Sequence, residues 1–457
     1  MRNKISVLLT SGNRALLRGL PGRGLDIFRG TTRQIEGNRF CVQGALTRSQ
    51  INELKNLPIE VQERGRVETR LHAATDRAKT HRVKDMPDGY LTVEQIDASL
   101  KSLKQQFAFT RRIALPHKTH EDRSSAALVI AKRVRQAGPA RRRGKKKTRP
   151  RKKPAVMFFG GVHARETVPP DALIYLARKL CQSYAGDADI VLGKKTYSAA
   201  TVKRIVERLD LYFFPLVNPD GRNTVMKKGG DPDWRKNRSP NNGDPERGVD
   251  INRNFDFLWD LGLGSSSLYS DESFKGPAPA SEPETKNVLH LIDSAGRALV
   301  CSVDVHSFAK AIHYPWSHDE NQSEMEAMNF REEVFDGFRG KKDDAYREYM
   351  PKVDEKNFKA IGKAIHDGIF AVRGEYYTVQ QGVVLYATTG SLQDYPYSRH
   401  MQSRSARKVY SLGIEVGPDG DTPDGFQPRF EEARKIITDV AAGLLECCLT
   451  VLKLRLR

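Results

Sequence analysis

The sequence predicts an α/β fold: a mixed, largely parallel central sheet flanked by helices, with a small N-terminal extension or module ahead of it. Two observations carry this. From residue 88 onward, apolar runs of strand length alternate with longer segments in which apolar residues recur at i, i+3 and i+4. Before that, residues 1–85 are polar, Arg-rich and weakly patterned. The chain therefore divides into 1–85, an extension or small α/β module, and 86–457, the main domain. Its 457 residues are 39% hydrophobic, enough for a sizeable core. No run of eighteen apolar residues occurs, so no membrane span is expected.

Within the lead, FCVQGA (40–45) reads as a short strand and LTRSQINELKN (46–56) as a helix that Thr47 or Ser49 could cap. Thr92 opens a helix over 88–107, with Ile96, Leu100 and Leu103 on one face. FTRRIALP (109–116), SAALVIAKRV (125–134) and AVMFFGGV (155–162) read as strands, the last ending in glycines. Pro169 and Pro170 suit the first turn of a helix that continues through 171–184. A helical segment (199–209), the strand LYFFPLV (211–217) and the turn NPDG (218–221) follow. The spacing then predicts a helix over 281–296, a buried strand over 298–308 and a closing helix over 430–454. Residues 318–358 are charged and read as a surface excursion.

The net charge is +20, but it is concentrated. Thirteen Lys or Arg and no acid lie between Lys132 and Lys153, leaving +7 for the rest of the chain. A run of like charge is normally solvated. The alternative is an anionic partner at the basic stretch 141–153, nucleic acid included, whose binding would fall steeply with salt. The five cysteines are odd in number and contain no CxxC pair, which argues against a disulfide framework and a cysteine zinc site. The apolar stretch Ile5 to Leu9 is too short and too interrupted for a secretory signal. A cytoplasmic location is expected, with an organelle transit segment as the alternative reading of the Arg-rich start.

GGVHARETVPPD (160–171) places His163 and Glu166 just after a strand and before a helix. A short turn there lets residues i and i+3 converge, and zinc accepts both imidazole nitrogen and carboxylate oxygen. HxxE alone is common by chance, and no HExxH occurs. The third ligand must come from elsewhere. His306 ends the apolar run VCSVDV, at the strand edge where open α/β sheets carry their sites. His313, in AIHYPW, and His318, in a polar stretch, are the alternatives.

At these residues the chain resembles the zinc carboxypeptidases of the pancreatic A/B type, peptidase family M14. The resemblance rests on six motifs in order: HARE (163–166), DWRKNRS (233–239), GVDINRNFD (248–256), DVHSF (304–308), LYATTGSLQDY (385–395) and LGIEVG (412–417). It implies one zinc ion per chain held by His163, Glu166 and His306, and a substrate that is a peptide or protein C-terminus. It implies Glu415 as general base toward a metal-activated water, and Arg235 as the group that polarises the scissile carbonyl. Asn252 and Arg253 would grip the terminal carboxylate, Tyr386 would close over it, and Arg165 is a subsidiary arginine. These residue types suit the chemistry. A carboxylate can relay a proton from water to a leaving amine, and a guanidinium forks onto a carboxylate with two parallel hydrogen bonds.

Two features depart from familiar members. Phe308 stands where a tyrosine is common, and Gln393 stands at the floor of the side-chain pocket, which Ser317, Gln381 and Thr388 would also line. The resemblance also implies that the N-terminal part, around 40–85, is the counterpart of an inhibitory pro-segment. Two other functions compete: a related zinc deacylase acting on N-acyl amino acids, and a basic nucleic-acid-binding protein with a degenerate enzyme fold. Tyr386 together with WRKNRS argues against the first, and the complete metal set argues against the second.

Overall fold

The computed structural model describes residues 4–35, 37–66, 88–132, 153–240, 248–319, 349–384, 386–403, 406–418 and 425–456. The basic stretch, apart from Lys132 and Lys153, lies outside these residues, so the expected anionic partner there gains no structural argument.

The first part of the chain is a folded module. Strand β1 (Ile5–Ser11), helix α1 (Arg14–Gly19), β2 (Ile27–Gln34), β3 (Phe40–Leu46), α2 (Arg48–Leu54) and β4 (Glu60–Arg66) form an antiparallel sheet of order β2-β3-β1-β4. Val7, Leu9, Leu17, Val42, Leu46, Ile51 and Leu54 make its core. The structure extends the sequence reading here. The strand at 40 and the helix at 48 are present, and Thr47 caps α2 with Gln50 in a reciprocal capping box. The run after Lys4, read only as too short for a signal, is the strand β1, paired on both sides.

The main domain runs α3 (Val93–Gln106), β5 (Thr110–Ala114), β6 (Ala126–Ile130), β7 (Ala155–Gly160), α4 (Val168–Gly186), β8 (Ile190–Leu192), β9 (Lys195–Tyr197), α5 (Ala199–Arg208), β10 (Asp210–Phe214) and α6 (Pro219–Met226). It continues with α7 (Pro283–Ala295), β11 (Leu299–Ser307), β12 (Ala311–Tyr314), α8 (Lys352–Arg373), β13 (Thr378–Gln381), α9 (Tyr395–Gln402), β14 (Tyr410–Val416) and α10 (Phe430–Leu454). Eight strands form one mixed sheet of order β13-β12-β14-β11-β7-β10-β6-β5. Its central strands β14, β11, β7 and β10 are parallel, and their buried apolar runs match a sheet covered on both faces. One core joins the sheet to α3, α4, α5, α8 and α10; the other joins it to α7, Ile251 and Phe255. Gly443 of α10 sits where a Cβ would press Ile365 and Ile369 of α8 at 3.0 Å, so its bare backbone lets these helices close on each other.

The stretch read as a surface excursion is divided. Residues 320–348 lie outside the described set, while Lys352 begins the two-layer helix partner α8. Strands β12 and β13 add an edge to the sheet beyond β14. From β7 the chain crosses to β10 on one side and later enters β11 on the other, so the crevice at the carboxyl ends of β7 and β11 is a topological switch point.

Candidate active site

His163 and Glu166 occupy the turn that leaves β7, and His306 ends β11. Gly161, at φ +63°, starts that turn; a Cβ there would come within 2.9 Å of Leu216 and 3.0 Å of Pro170. His163 Nδ1 lies 2.6 Å from Glu166 Oε1, His306 Nδ1 lies 3.0 Å from Glu166 Oε2, and the two Nδ1 atoms are 3.1 Å apart. All three side chains are buried, and one donor atom of each lies within 4.8 Å of the others. The alternatives for the third position fall away on geometry: His313 lies on β12 and His318 packs against Trp316 and Phe257, both outside this grouping.

The outer nitrogens fix the tautomers. His163 Nε2 meets Asp250 Oδ1 at 3.1 Å, and His306 Nε2 meets Asp304 Oδ2 at 2.6 Å. A carboxylate on Nε2 holds the proton there and leaves Nδ1 with its lone pair for a cation. Two such imidazoles and one carboxylate converging on a point are the donor set of a catalytic zinc site that keeps one position open. The residues therefore fit the ion.

Asp250 organises the rest. Wholly buried, it accepts from His163, from the Asn252 amide at 2.9 Å and from Arg235 Nη2 at 2.9 Å. Burial alone would raise its carboxyl, but Arg235, Arg253 and His163 outweigh that and hold it well below the usual range. Arg235 keeps Nη1 toward the metal side, 3.9 Å from Glu166 Oε1. Arg253 is buried; its Nε donates to the Gly264 carbonyl at 2.9 Å and its Nη2 to the Tyr386 hydroxyl at 3.1 Å. Burial lowers its guanidinium to about 10, against the pull of Asp250. The Asn252 side-chain Oδ1 accepts from the Leu392 backbone N–H at 2.7 Å, tying the 386–394 loop to the site. Glu415, half-buried, pairs in register with His306 across β14 and β11. Burial raises its carboxyl to about 7, with Glu166 adding to that and His306 and Arg235 opposing it. Gln393 lies beside Gly413, next along the same strand face.

The structure thus brings His163, Glu166, Glu415, Arg235, Asn252, Arg253 and Tyr386 around one cavity, with His306 joined to it through the His163–Glu166 grouping and its pairing with Glu415. Arg165 is placed differently from a free cleft residue. It forks onto Asp26 of the N-terminal module, with both bonds at 2.6 Å, and stacks over Phe426 at 4.1 Å. Lys4 joins Asp26 at 2.9 Å and Glu272 at 2.8 Å. Phe28 packs edge-on against Phe308 and Phe426. At Gly24 any Cβ would fall within 2.1 Å of the Asp271 carboxyl, so only glycine allows this approach. Leu25, Asp26, Ile27 and Phe28 line the cavity that holds the metal ligands, and its volume is only about 80 Å³.

Sequence reasoning gave no role to Asp250, Asp304 or Asp26. The first two stand inside motifs already singled out, Asp304 two residues before His306 and hence on the same strand face. Asp26 has no local signal; it meets Arg165 across 139 positions. A second His/Glu/Glu grouping, His120, Glu282 and Glu284, is knit together by Asn237, which donates to both carboxylates at 2.7 and 2.9 Å.

Comparison with known proteins agrees with this geometry. The family model described as "Zinc carboxypeptidase" matches residues 96–443. Human carboxypeptidase O is 32% identical over 163 residues, covering 36% of this chain and 40% of its own. Rat carboxypeptidase B is 33% identical over 186 residues, covering 40% and 41%. The chain spans about half the length, or less, of these curated relatives. Among solved structures, thrombin-activatable fibrinolysis inhibitor has a TM-score of 0.68 at 19% identity, covering 99% of both chains. Carboxypeptidase A from Helicoverpa armigera has a TM-score of 0.69 at 21% identity, covering 98% of both. At these identities the structural likeness speaks for the fold, module included. With the six motifs, the converging donor set and a family model spanning most of the main domain, the chain belongs to the zinc carboxypeptidase family.

Proposed function

We propose that this protein is a zinc-dependent exopeptidase that hydrolyses the C-terminal peptide bond of peptides or proteins, and that its N-terminal module restrains it. The observation that carries the first part is the juxtaposition of the His163–Glu166–His306 set and Glu415 with a buried arginine, Arg253, that lines the same cavity. Zinc, when bound, acts as a Lewis acid and lowers the pKa of water at the site. Glu415 then takes the proton on a carboxylate oxygen and delivers it to the leaving amine nitrogen. Arg235 offers Nη1 to the carbonyl oxygen of the scissile bond as charge develops there. Arg253 and Asn252 receive the terminal carboxylate, and Tyr386 covers it. No such carboxylate anchor is needed by a nucleic-acid binder. The deacylase alternative is tested by offering N-acyl amino acids beside short peptides.

The expected metal content is one zinc per chain. His306→Ala should lose the ion and the release of C-terminal residues while circular dichroism shows an unchanged fold. Full zinc occupancy in that variant would remove His306 from the site.

The second part rests on the lid-like placement of the module. A cavity of about 80 Å³ is well short of the roughly 300 Å³ at which ligand pockets begin. A peptide end enters only when Asp26 leaves Arg165. The pair is robust to mild acid. Burial would raise the Asp26 carboxyl, but Arg165 and Lys4 hold it far below its ordinary value. Its contribution is therefore complete above about pH 4 and fades only as pH falls toward that depressed value. Asp26→Asn should raise kcat/KM at least tenfold at neutral pH, since breaking a buried charged pair costs about 3–5 kcal/mol. Exposure of the unaltered protein to pH 5 should not raise it. An unchanged rate in Asp26→Asn would separate the module from regulation.

A further inference from the structure

The strand register defines a second polar row under the catalytic one. His306 faces Glu415 across β11 and β14, and Glu415 faces Ala311 across β14 and β12. Two residues along each strand, Asp304 faces Gly413 and Gly413 faces His313. Side chains two apart share a face, so Asp304 and His313 lie on the face that carries His306 and Glu415, about 6.5 Å deeper along the strands. Gly413 contributes no side chain between them. Gln393 takes that place, its Oε1 lying 2.7 Å from where a Gly413 Cβ would stand. Its Nε2 faces Gly382 and Ser317.

This row is polar and poorly satisfied. Among the described residues, Asp304 Oδ1, Gln393 Nε2 and the hydroxyl of nearby Thr388 are buried without hydrogen-bond partners, and no side chain pairs with either nitrogen of His313. Thr388 belongs to it through its backbone N–H, which donates to the Ser317 carbonyl at 2.7 Å. Buried polar atoms are almost always paired, and such a concentration beside a substrate site calls for a ligand's own polar atoms. The row offers both kinds of group. Gln393 Nε2 donates and Asp304 Oδ1 accepts. His313 does one of each, because burial holds its imidazole neutral, lowered to about 4 against the opposing hydrogen bond with the Gln381 backbone.

We infer that this row selects a C-terminal residue with an uncharged amide side chain, glutamine or asparagine. The inference rests on the carboxypeptidase reading and names its substrate class. The side-chain carbonyl accepts from Gln393 Nε2, and the amide nitrogen donates to Asp304 Oδ1 and to the bare nitrogen of His313. A terminal Leu or Phe satisfies none of these groups. A terminal Glu sets a carboxylate against Asp304. Lys or Arg serves the acceptors and leaves Gln393 Nε2 without a partner. A site built to hydrogen-bond its substrate rejects the analogue that lacks those atoms far more strongly than an apolar pocket rejects a misfit.

The test uses the zinc-loaded full chain and N-acylated tripeptides ending in Gln, Asn, Leu, Phe, Lys or Glu. Ratios of kcat/KM are compared, because restraint by the module acts on every peptide alike. Gln or Asn should exceed Leu and Phe at least tenfold, and His313→Leu should shrink that ratio at least tenfold. The same variant should raise the Tm of the unliganded protein by a few degrees, since it replaces a buried imidazole that no side chain pairs with by an apolar side chain. Asp304 is left intact because it holds His306. A preference for Leu, Phe, Lys or Glu would overturn the inference, as would an unaltered ratio or a lowered Tm in His313→Leu. Release of no terminal residue from any peptide, by the unaltered chain and by Asp26→Asn alike, would instead overturn the carboxypeptidase reading beneath it.

Discussion

Glu415→Gln is expected to keep zinc and lose about 100- to 10,000-fold in turnover, the usual span for removing a general acid–base group. The side chain ends β14 in register with His306, within reach of the metal side but outside the donor set. An amide of the same shape preserves the packing and the strand pairing, yet it cannot take a proton from water or return one to the amine. The environment is suited to that relay. Burial raises the carboxyl to about 7, and the charge of Arg235 opposes that rise, so the group can gain and give up a proton near neutrality. Zinc content, measured alongside turnover, separates this loss from loss of the ion. Turnover like that of the unaltered protein would take Glu415 out of the mechanism.

Arg253→Ala should lower kcat/KM on peptides with a free end by about 2–5 kcal/mol, the cost of removing one partner of a buried charged hydrogen bond. Arg253 is poised for this. It is buried, its Nη2 donates to the Tyr386 hydroxyl, and burial depresses its guanidinium to about 10 despite Asp250. A carboxylate delivered to the fork would satisfy a charge that the fold holds in a desolvated place. Zinc content should be unchanged, since Arg253 touches none of the three ligands' donor atoms. The loss should therefore appear without a change in metal.

Much of this site is legible in the sequence because its parts are local. His163 and Glu166 need only a turn after an apolar run, and His306 and Glu415 need only the ends of strands with continuous Val, Ile and Leu character. The closing helix and α3 declare themselves by spacing, and Thr92 caps α3 as its side chain suggests. The helix α8 also carried a signal, in Phe358, Ile361, Ile365, Ile369 and Val372, but the dense charges on its outer face hid that stripe. The module's strands were harder. They are short, broken by Ser, Thr and Arg, and buried on both faces, polar residues such as Gln43 and Thr10 included, so no clean alternation marks them. Asp26 could not be read at all. Its meaning depends on a contact with Arg165 that no periodicity encodes. The row of Asp304, Gly413 and His313 likewise exists only once the register of three strands is known.

The central claim, that hydrolysis is confined to a free C-terminus, is tested most directly by digesting one peptide in two forms, with its terminal carboxyl free or amidated, and resolving the products by mass. The account predicts stepwise loss of single residues from the free form. The amidated form should be cut at least tenfold more slowly, because it brings no carboxylate to the enclosed Arg253 guanidinium. Equal rates on the two forms, or fragments arising from internal cleavage, would contradict it.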